Sequence, residues 1–353
     1  MPELPTTEQL AVLRMLDANF NRASEGLRVI EEFVRFGGND RFLSERLKAL
    51  RHALSVTMQA IDFRHLLAAR DTERDTGTSI SLATESQREN IYEVLRANFQ
   101  RVQQALRSLE EYGKTVNIRM AAEIEQLRYQ TYTLEKAILR TASAREQLQH
   151  DRLYVLIAGC SSLAEFRQLA ESLVAAGVDV LQLREKQLTD RLLLERAQCL
   201  REITRNTATL FIMNDRPDIA SLADADGVHV GQDELCVAEV RKIVGPNMLI
   251  GVSTHNLPQV QRALLAGADY IGCGPTFPST TKSFEHFPGL DFLRAVANEI
   301  SLPAFAIGGI TSENLAAVLA TGLQRIAVSG AITSAVNPAE KVSEFKRFLR
   351  QLA

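Results

Sequence analysis

The sequence contains no tryptophan and only four cysteines among its 353 residues. The cysteines are widely separated, and no Cys-x-x-Cys pair is present; they are Cys160, Cys199, Cys236 and Cys273. This spacing excludes the usual zinc clip and the redox dithiol, so we interpret the four as free thiols buried in the core.

An excess of charge of either sign is also missing. Lys and Arg number 40, Asp and Glu number 43, and the formal net charge is −3, which argues against nucleic acid or an anionic membrane as the main partner. No apolar run reaches the ~18 residues that span a bilayer, and the first residues lack the basic and apolar regions of a secretory leader. We therefore expect a cytoplasmic protein without a membrane partner, and leave open whether it forms a homo-oligomer.

The length predicts two domains, because a single domain usually has ~100–200 residues and a barrel ~250. Up to residue 144 the apolar residues recur at the three- and four-residue spacing of helices, with a buried stripe from Leu10 to Val34. Gly37-Gly38-Asn39-Asp40 marks a break. We predict an all-α domain over 1–144, a linker over 145–150 and a second domain over 151–353.

The helical part contains a repeat whose copies lie 79 positions apart. Segment 18–22 (ANFNR) matches 97–101 (ANFQR), and 27–33 matches 106–112. Two similar helices are expected, with Arg28 spaced to pair with Glu31 and Glu32 along one helix face. Two interpretations stay open: a duplicated helical hairpin held together by its charges, or a ligand site at the pseudo-symmetric junction.

After residue 150, short β-rich segments alternate with amphipathic stretches long enough for crossover helices. The eight predicted strands are Leu153–Ile157, Val178–Arg184, Thr209–Asn214, Gly227–Val230, Leu249–Val252, Tyr270–Cys273, Ala304–Ile307 and Ile326–Val328. Eight βα units in about 200 residues predict a (β/α)8 TIM barrel, an α/β fold preceded here by an all-α N-terminal domain. A doubly wound open sheet is the alternative.

In a TIM barrel the chemistry belongs at the carboxyl ends of the strands. Strand two ends in Gln182, Arg184 and Lys186, which the two-residue period of a strand places on one side. A row with two cations suits a polyphosphate, since Arg offers a planar fork and Lys a point charge. A salt bridge to a neighbouring loop is the structural alternative.

The next two strand ends carry oxygen donors. Strand three ends in Asn214-Asp215, and strand four is followed by Asp233-Glu234. Such groups suit Mg²⁺ bound to a substrate phosphate, because this ion commonly takes one or two carboxylates and completes its shell with water and phosphate. Helix N-capping is the alternative role.

The later strands offer a second anion site. Strand six runs into a loop, 274–282, with hydroxyls, glycine and a lysine, and strands seven and eight are followed by 308–309 (GG) and 330–331 (GA). This fold often binds a phosphate there through backbone N–H groups. His229 and His255 are candidate general bases, with packed or hydrogen-bonded roles as the alternative.

Six motifs stand in order along the second domain: QLREK at 182–186, NDR at 214–216, DGVHVGQ at 226–232, GVSTH at 251–255, GPTFP followed by TK ending at Lys282, and IGGI at 307–310. In order and spacing they resemble thiamine-phosphate synthase over nearly all of 151–353. The resemblance implies a Mg²⁺-dependent transferase that joins 4-amino-2-methyl-5-(diphosphomethyl)pyrimidine to thiazole-ethyl phosphate, giving thiamine phosphate and diphosphate in thiamine diphosphate biosynthesis. Its partners would be these phosphorylated pyrimidine and thiazole substrates.

The resemblance also implies roles for individual residues. The residues expected to bind the diphosphate are Arg184, Lys186, Asn214 and Lys282, and the residues expected to face the pyrimidine are Gln182 and Ser253. The residues expected to bind the thiazole phosphate are Ser279, Thr280, Thr281, Gly309, Gly330 and Ala331. Of these, Arg184, Lys186, Ser253 and Lys282 are the expected catalytic residues. Asp215 is the expected magnesium ligand. The family usually reads Gly-Gln-x-Asp, so position favours Glu234 as the second ligand and residue type favours Asp233; we favour Glu234.

The segment from Asn19 to Arg28 resembles the pattern Asn-x-x-Arg-x-x-Glu-Gly-Leu-Arg of a helical domain fused to some of these synthases. Free-standing relatives are associated with phosphorylation of the pyrimidine monophosphate. The sequence has no Walker loop, so the phosphate-binding candidates are Asn19, Arg22, Arg28, Arg70, Asp71, Arg74 and Asp75. A docking or oligomerisation module is the alternative.

Two functions compete with the synthase. A thiazole tautomerase shares the barrel and binds thiazole phosphate but needs neither diphosphate nor metal, and the cationic set with Arg184, Lys186 and Lys282 counts against it. A sensor or scaffold would bind the phosphates without turnover.

Overall fold

The computed structural model describes residues 6–73, 75, 87–278 and 287–351. The chain divides into two compact units, 1–138 and 139–353. Among the described helices, none is both long enough and apolar enough to cross a membrane.

The described residues of the first unit form helices and the loops between them. Its helices are α1 (Thr7–Glu32), α2 (Arg41–Met58), α3 (Phe63–Ala69), α4 (Ile91–Gly113) and α5 (Ile118–Gln147), the last of which continues beyond residue 138. A capping box between Thr6 and Gln9 begins α1. The predicted break is confirmed, because α1 runs into a π-helical turn, Asn39 adopts a left-handed φ of 51° and Asp40 caps α2. Leu10 is 37% exposed, so the buried stripe begins later than predicted.

The two copies of the repeat form α1 and α4, which pack against each other. Asn19 and Asn98 occupy the same place in the two copies, and each side chain donates to the carbonyl four residues earlier, at 2.8 Å. Gly26 lets the helices approach, since a Cβ at this position would lie 2.6 Å from Val102 Cγ2. The prediction of two similar helices is confirmed.

Buried glutamates occupy a second equivalent position in the copies. Glu31 and Glu110 are both almost fully buried. Their cations, with the N–O distances, are Arg28 (3.9 Å) and Arg51 (3.1 Å) for Glu31, and Arg107 (2.8 Å), Arg128 (2.9 Å) and Lys114 (3.6 Å) for Glu110. Arg51 lies on α2 and Arg128 on α5. The buried glutamates therefore link α1 to α2 and α4 to α5. These contacts favour the interpretation as a duplicated hairpin held by its charges.

The second unit is a closed barrel of eight parallel strands, which confirms the TIM barrel and excludes the open sheet. The strands are β1 (Leu153–Ile157), β2 (Val180–Leu183), β3 (Leu210–Asn214), β4 (Gly227–Val230), β5 (Leu249–Thr254), β6 (Tyr270–Cys273), β7 (Ala304–Ile307) and β8 (Ile326–Val328). Five match the predicted bounds, while β2 and β3 are shorter and β5 is longer.

Helices follow the strands and cover the outside of the barrel. They are α6 (Leu163–Ala175), α7 (Asp190–Thr204), α8 (Pro217–Leu222), α9 (Val237–Val244), α10 (Leu257–Ala266), α11 (Gly289–Glu299), α12 (Leu315–Leu319), α13 (Gly330–Thr333) and α14 (Pro338–Gln351).

The prediction of four buried thiols is wrong for two cysteines. Cys199 and Cys273 are buried, but Cys236 is exposed and Cys160 partly exposed, because both lie in loops that precede helices.

An aspartate directly precedes each of β2, β4 and β6 and accepts a backbone N–H from the preceding strand. Asp179 accepts from Leu153 of β1, at 2.9 Å; Asp226 accepts from Phe211 of β3, at 2.7 Å; and Asp269 accepts from Ile250 of β5, at 2.8 Å. Each carboxylate also pairs with a cation, namely Lys346, Arg201 and Arg241 respectively. These side chains join neighbouring strands at the amino ends of the barrel, away from the site described next.

Candidate active site

The carboxyl ends of the strands surround a cavity of about 550 Å³. It brings together all of the described site residues predicted for the second domain: Gln182, Arg184, Lys186, Asn214, Asp215, Asp233, Glu234, Ser253, Gly309, Gly330 and Ala331. His229 and His255 also line it. Ser279, Thr280, Thr281 and Lys282 lie outside the described residues.

The end of β2 has the predicted alternation. Gln182, Arg184 and Lys186 face the cavity, whereas Leu183 is buried elsewhere. Glu185 also lies outside the cavity lining and pairs with the buried Arg196. In the described part of the chain, no carboxylate forms an ion pair with Arg184, so its guanidinium is available to an anionic ligand.

Lys186 lies between two carboxylates. Its Nζ is 3.0 Å from Asp215 Oδ2 and 3.9 Å from Glu234 Oε1. Asp215 adopts a left-handed φ of 61°, a conformation uncommon for non-glycine residues, and its N–H donates to the His229 carbonyl at 2.8 Å. A Cβ at Gly231 would overlap the Glu234 carboxylate, so this glycine makes room for that side chain. The carboxylates of Asp215 and Glu234 thus already hold one cation between them.

A chain of hydrogen bonds crosses the floor of the cavity. Gln182 Nε2 donates to the Tyr154 hydroxyl (2.9 Å), which is 3.1 Å from the Tyr270 hydroxyl. Tyr270 is in turn 3.3 Å from His229 Nδ1, and His229 Nε2 is 3.0 Å from Ser253 Oγ. We call these five side chains the floor network. Neither tyrosine was predicted from the sequence as a site residue, although each has the strand parity of an inward-facing residue.

The floor network is uncharged near neutral pH. Burial lowers the pKa of His229 to about 4, an effect that the nearby Asp215 carboxylate only partly offsets. Burial also raises the pKa of Tyr154 and of Tyr270 well above the usual range of a phenol. His229 is therefore a neutral imidazole with one ring proton, and both tyrosines keep their hydroxyl protons.

Glycines form the wall beyond β7. Gly308 and Gly309 have positive φ values of 104° and 63°, and a Cβ at Gly309 would lie 2.8 Å from the Phe277 carbonyl oxygen. Asn314 fixes this turn, since its Nδ2 donates to the Gly309 carbonyl (2.8 Å) and its Oδ1 accepts from the Thr311 N–H (2.9 Å). Next to it, α13 begins at Gly330. Backbone N–H groups at the ends of β7 and β8 are where this fold often holds phosphate.

The described candidates of the first unit do not all lie at one place. Arg70 forms a bidentate pair with Asp17 at 2.7 Å, and Arg28 donates to Glu32 at 3.0 Å. Asn19 and Arg28 are about two and a half helical turns apart on α1 and so lie on opposite faces. Among the others, Asp71 contacts Arg14, Arg22 and Asp75 are exposed, and Arg74 lies outside the described residues.

Comparisons with known proteins agree with the cavity in the second unit. Residues 153–332 match the family described as thiamine monophosphate synthase. A thiamine-phosphate synthase from Rhodopirellula baltica is 48% identical over 340 residues, covering 93% of this chain and 90% of the relative. The chain belongs to the thiamine monophosphate synthase family. This membership confirms the resemblance seen in the six motifs and the prediction of a transferase of thiamine biosynthesis.

Other members of the thiamine monophosphate synthase family match along most of their length. A thiamine-phosphate synthase from Gloeobacter violaceus is 42% identical, covering 97% of this chain and 98% of the relative. The solved thiamine phosphate pyrophosphorylase from Pyrococcus furiosus has 31% identity and a TM-score of 0.51, covering 61% of this chain and 98% of its own. Residues 14–137 separately match the ThiD2 family.

Proposed function

We propose that the barrel condenses 4-amino-2-methyl-5-(diphosphomethyl)pyrimidine with thiazole-ethyl phosphate to give thiamine phosphate and diphosphate. The observation that carries this proposal is that one cavity contains both the glycine turns after β7 and β8 and the guanidinium of Arg184, which pairs with no carboxylate among the described residues. Two anion sites in one cavity suit two phosphorylated substrates that must meet.

The reaction breaks the bond between the pyrimidine methylene carbon and the diphosphate oxygen, and the electron pair leaves with diphosphate. The thiazole nitrogen then donates its lone pair to the methylene cation, forming the new C–N bond. The protein's task is to align the partners and to stabilise developing charge. Arg184, Lys186 and Asn214 would bind the departing diphosphate, with Lys282 as a further predicted donor outside the described residues.

The remaining predicted roles belong to residues on the other sides of the cavity. Gln182 and Ser253 would face the pyrimidine, and the uncharged floor network would keep ionised groups away from its ring. The N–H groups around Gly309, Gly330 and Ala331, with Ser279, Thr280 and Thr281, would hold the thiazole phosphate.

Asp215 and Glu234 fit a magnesium ion, because they already share the Lys186 ammonium and because carboxylates combined with phosphate oxygens are its preferred ligands. When bound, Mg²⁺ neutralises charge on the diphosphate. Asp233 also lines the cavity, but the described contacts to Lys186 favour Glu234.

The thiazole tautomerase and the non-catalytic sensor are the competing functions. A tautomerase only moves a proton on the thiazole. It has no need of the Arg184 guanidinium, or of Asp215 and Glu234, which share Lys186. We also infer a cytoplasmic location, since all four cysteines are free thiols.

The first unit has two hypotheses, a pyrimidine-phosphate kinase and a docking module. The ion pairs of Arg28 and Arg70 with carboxylates favour a packing role for these two arginines.

The test supplies the full-length protein with thiazole phosphate, Mg²⁺ and either the pyrimidine diphosphate or the pyrimidine monophosphate with ATP, and follows thiamine phosphate. Product from the diphosphate is the expected result, with Arg184→Met as the impaired control. Product from both mixtures would add the kinase to the first unit, whereas product from the diphosphate alone would leave it a docking module. Absence of product from both mixtures would contradict the synthase.

A further inference from the structure

The floor network joins the two side chains that the proposed function places against the pyrimidine, Gln182 and Ser253. They belong to different strands, β2 and β5, and the link between them consists of Tyr154, Tyr270 and His229. Gln182 and both tyrosines are almost fully buried, at 2% exposure each. Buried polar groups need hydrogen-bond partners. The hydrogen bonds of the floor network therefore determine on which atom each of its protons lies.

Gly251 makes the middle of this link sterically feasible. A Cβ at this position would overlap the Tyr270 ring and lie 2.5 Å from His229 Nδ1. The glycine of the GVSTH motif therefore allows β4 and β6 side chains to meet above β5. Phe305 packs against both tyrosine rings, with centroid distances of 5.2 Å and 5.7 Å, and holds them in place without adding a polar group.

The network is directional because each hydroxyl carries one proton, and because a His229 ring nitrogen that accepts from Tyr270 leaves the other ring nitrogen to donate. The Gln182 amide donates to Tyr154, so the Tyr154 proton points to Tyr270 and the Tyr270 proton to His229 Nδ1. His229 must then carry its proton on Nε2, donating to Ser253 Oγ. This arrangement leaves Gln182 Oε1 as an acceptor and the Ser253 O–H as a donor for a ligand.

We propose that Tyr154 and Tyr270 are positioning residues that, through His229, couple the hydrogen-bonding state of Gln182 to that of Ser253. The inference rests on the proposed function for the identity of the ligand, a pyrimidine that offers an amino N–H and ring-nitrogen acceptors. Reversal of Gln182 requires reversal of every member of the network. The two pyrimidine-facing groups therefore act as one unit, although they lie on separate strands.

Tyr154→Phe is the first test, because it removes one hydroxyl and preserves the ring. Without the proton that Tyr154 supplies, the Tyr270 oxygen can accept from His229 Nδ1, so both imidazole tautomers become populated. The measurement is the pair of ring ¹⁵N chemical shifts of His229, assigned with a His229→Asn variant. We expect a single Nε2–H tautomer in the wild type and a mixture in Tyr154→Phe, whereas unchanged shifts in this variant would overturn the proposal.

Kinetics give the second test. Each substitution removes one hydrogen bond of the network, so Tyr154→Phe and Tyr270→Phe should each lower kcat/KM for the pyrimidine diphosphate by about 2- to 13-fold. In a Ser253→Ala background, Tyr154→Phe should change kcat/KM by less than about twofold, because coupled residues are not additive. Full additivity of Tyr154→Phe with Ser253→Ala would mean that the tyrosine acts only through packing.

Thr254→Val is the matched control. Thr254 is fully buried next to Ser253, and its hydroxyl donates to the Gly272 carbonyl at 3.0 Å rather than to the network. This variant should leave the His229 shifts unchanged, and melting temperatures of all variants show whether each one folds. If Tyr154→Phe does not fold, Tyr270→Phe replaces it in both measurements. The NMR test does not depend on turnover, so a failure of the proposed synthase activity is distinguishable from a failure of the coupling.

Discussion

Arg184 and Lys186 follow the same strand, but the structure predicts unequal contributions to anion binding. Arg184 faces the cavity without an ion-pair partner in the described part of the chain, whereas Lys186 already interacts with Asp215 at 3.0 Å and Glu234 at 3.9 Å. A diphosphate that binds Lys186 must compete with these two carboxylates. Arg184→Met should therefore weaken diphosphate binding more than Lys186→Met does.

The expected sizes follow from the chemistry of each contact. A charge-assisted hydrogen bond contributes about 1.5–3 kcal/mol, so loss of the Arg184 guanidinium should raise the Kd of inorganic diphosphate about 10- to 100-fold. Lys186 is about half exposed, at 51%, and its ammonium keeps only part of its attraction for a ligand. For Lys186→Met we expect an increase of about 3- to 5-fold, in line with the small energies of solvated ion pairs.

The assay is calorimetric titration of the full-length protein with inorganic diphosphate at fixed Mg²⁺ and ionic strength. Arg216→Met is the matched control, since Arg216 lies next to Asp215 but is paired with Asp190 and Asp218, each at 2.6 Å. Its Kd should stay within about twofold of the wild type, because its charge is already compensated. The reasoning is refuted if Lys186→Met or Arg216→Met weakens binding as much as Arg184→Met.

Three further predictions concern the turn after β7, the barrel and the first unit. Gly309→Ala forces a Cβ against the Phe277 carbonyl, so the KM for thiazole phosphate should rise at least about tenfold while the KM for the pyrimidine changes less. The measurement is steady-state kinetics with each substrate varied in turn, and an equal rise of the two KM values would contradict the prediction. Burial raises the pKa of Asp151 to about 6, so the stability contributed by its neutral form is present below about pH 4 and is lost as the pH rises through 6. In urea unfolding, the wild type should lose about 1–2 kcal/mol of unfolding free energy between pH 4 and 7 relative to Asp151→Asn. A difference between the two proteins that does not change with pH would contradict this. Glu110→Gln should destabilise the first unit by about 2–4 kcal/mol in thermal unfolding, because it breaks the buried pair with Arg128. The control is Glu45→Gln, which breaks the exposed pair with Arg41 and should cost less than about 0.5 kcal/mol. Equal effects would show that burial of the Glu110–Arg128 pair is unimportant.

Much of the fold was predictable because strand parity and helix period are local properties of the sequence. The eight strands and the alternation around Leu183 follow from residues two apart, and the pairing of Arg28 with Glu32 follows from residues four apart. Short helices such as α8 and α9 were not predicted, since six or eight residues show too little of a helical period to be distinguished from a loop.

The site was predictable where neighbouring strand ends meet and less so where contacts cross the barrel. Lys186 and Asp215 follow adjacent strands, so barrel topology alone brings them together. Tyr154 and Tyr270 are 116 positions apart, and their contact depends on the absence of a side chain at Gly251. In the first unit, a motif shared with a family grouped Asn19 with Arg28, but helical geometry separates them.

The aspartates before β2, β4 and β6 divide the barrel into pairs of strands. Each pair β1–β2, β3–β4 and β5–β6 has its own side-chain link to the backbone, whereas Arg325 stands at the equivalent place before β8. The connection between β4 and β5 passes through 245–248 without interrupting any of these links. New chain termini introduced there by circular permutation would preserve all three links and lie at the opposite end of the barrel from the cavity.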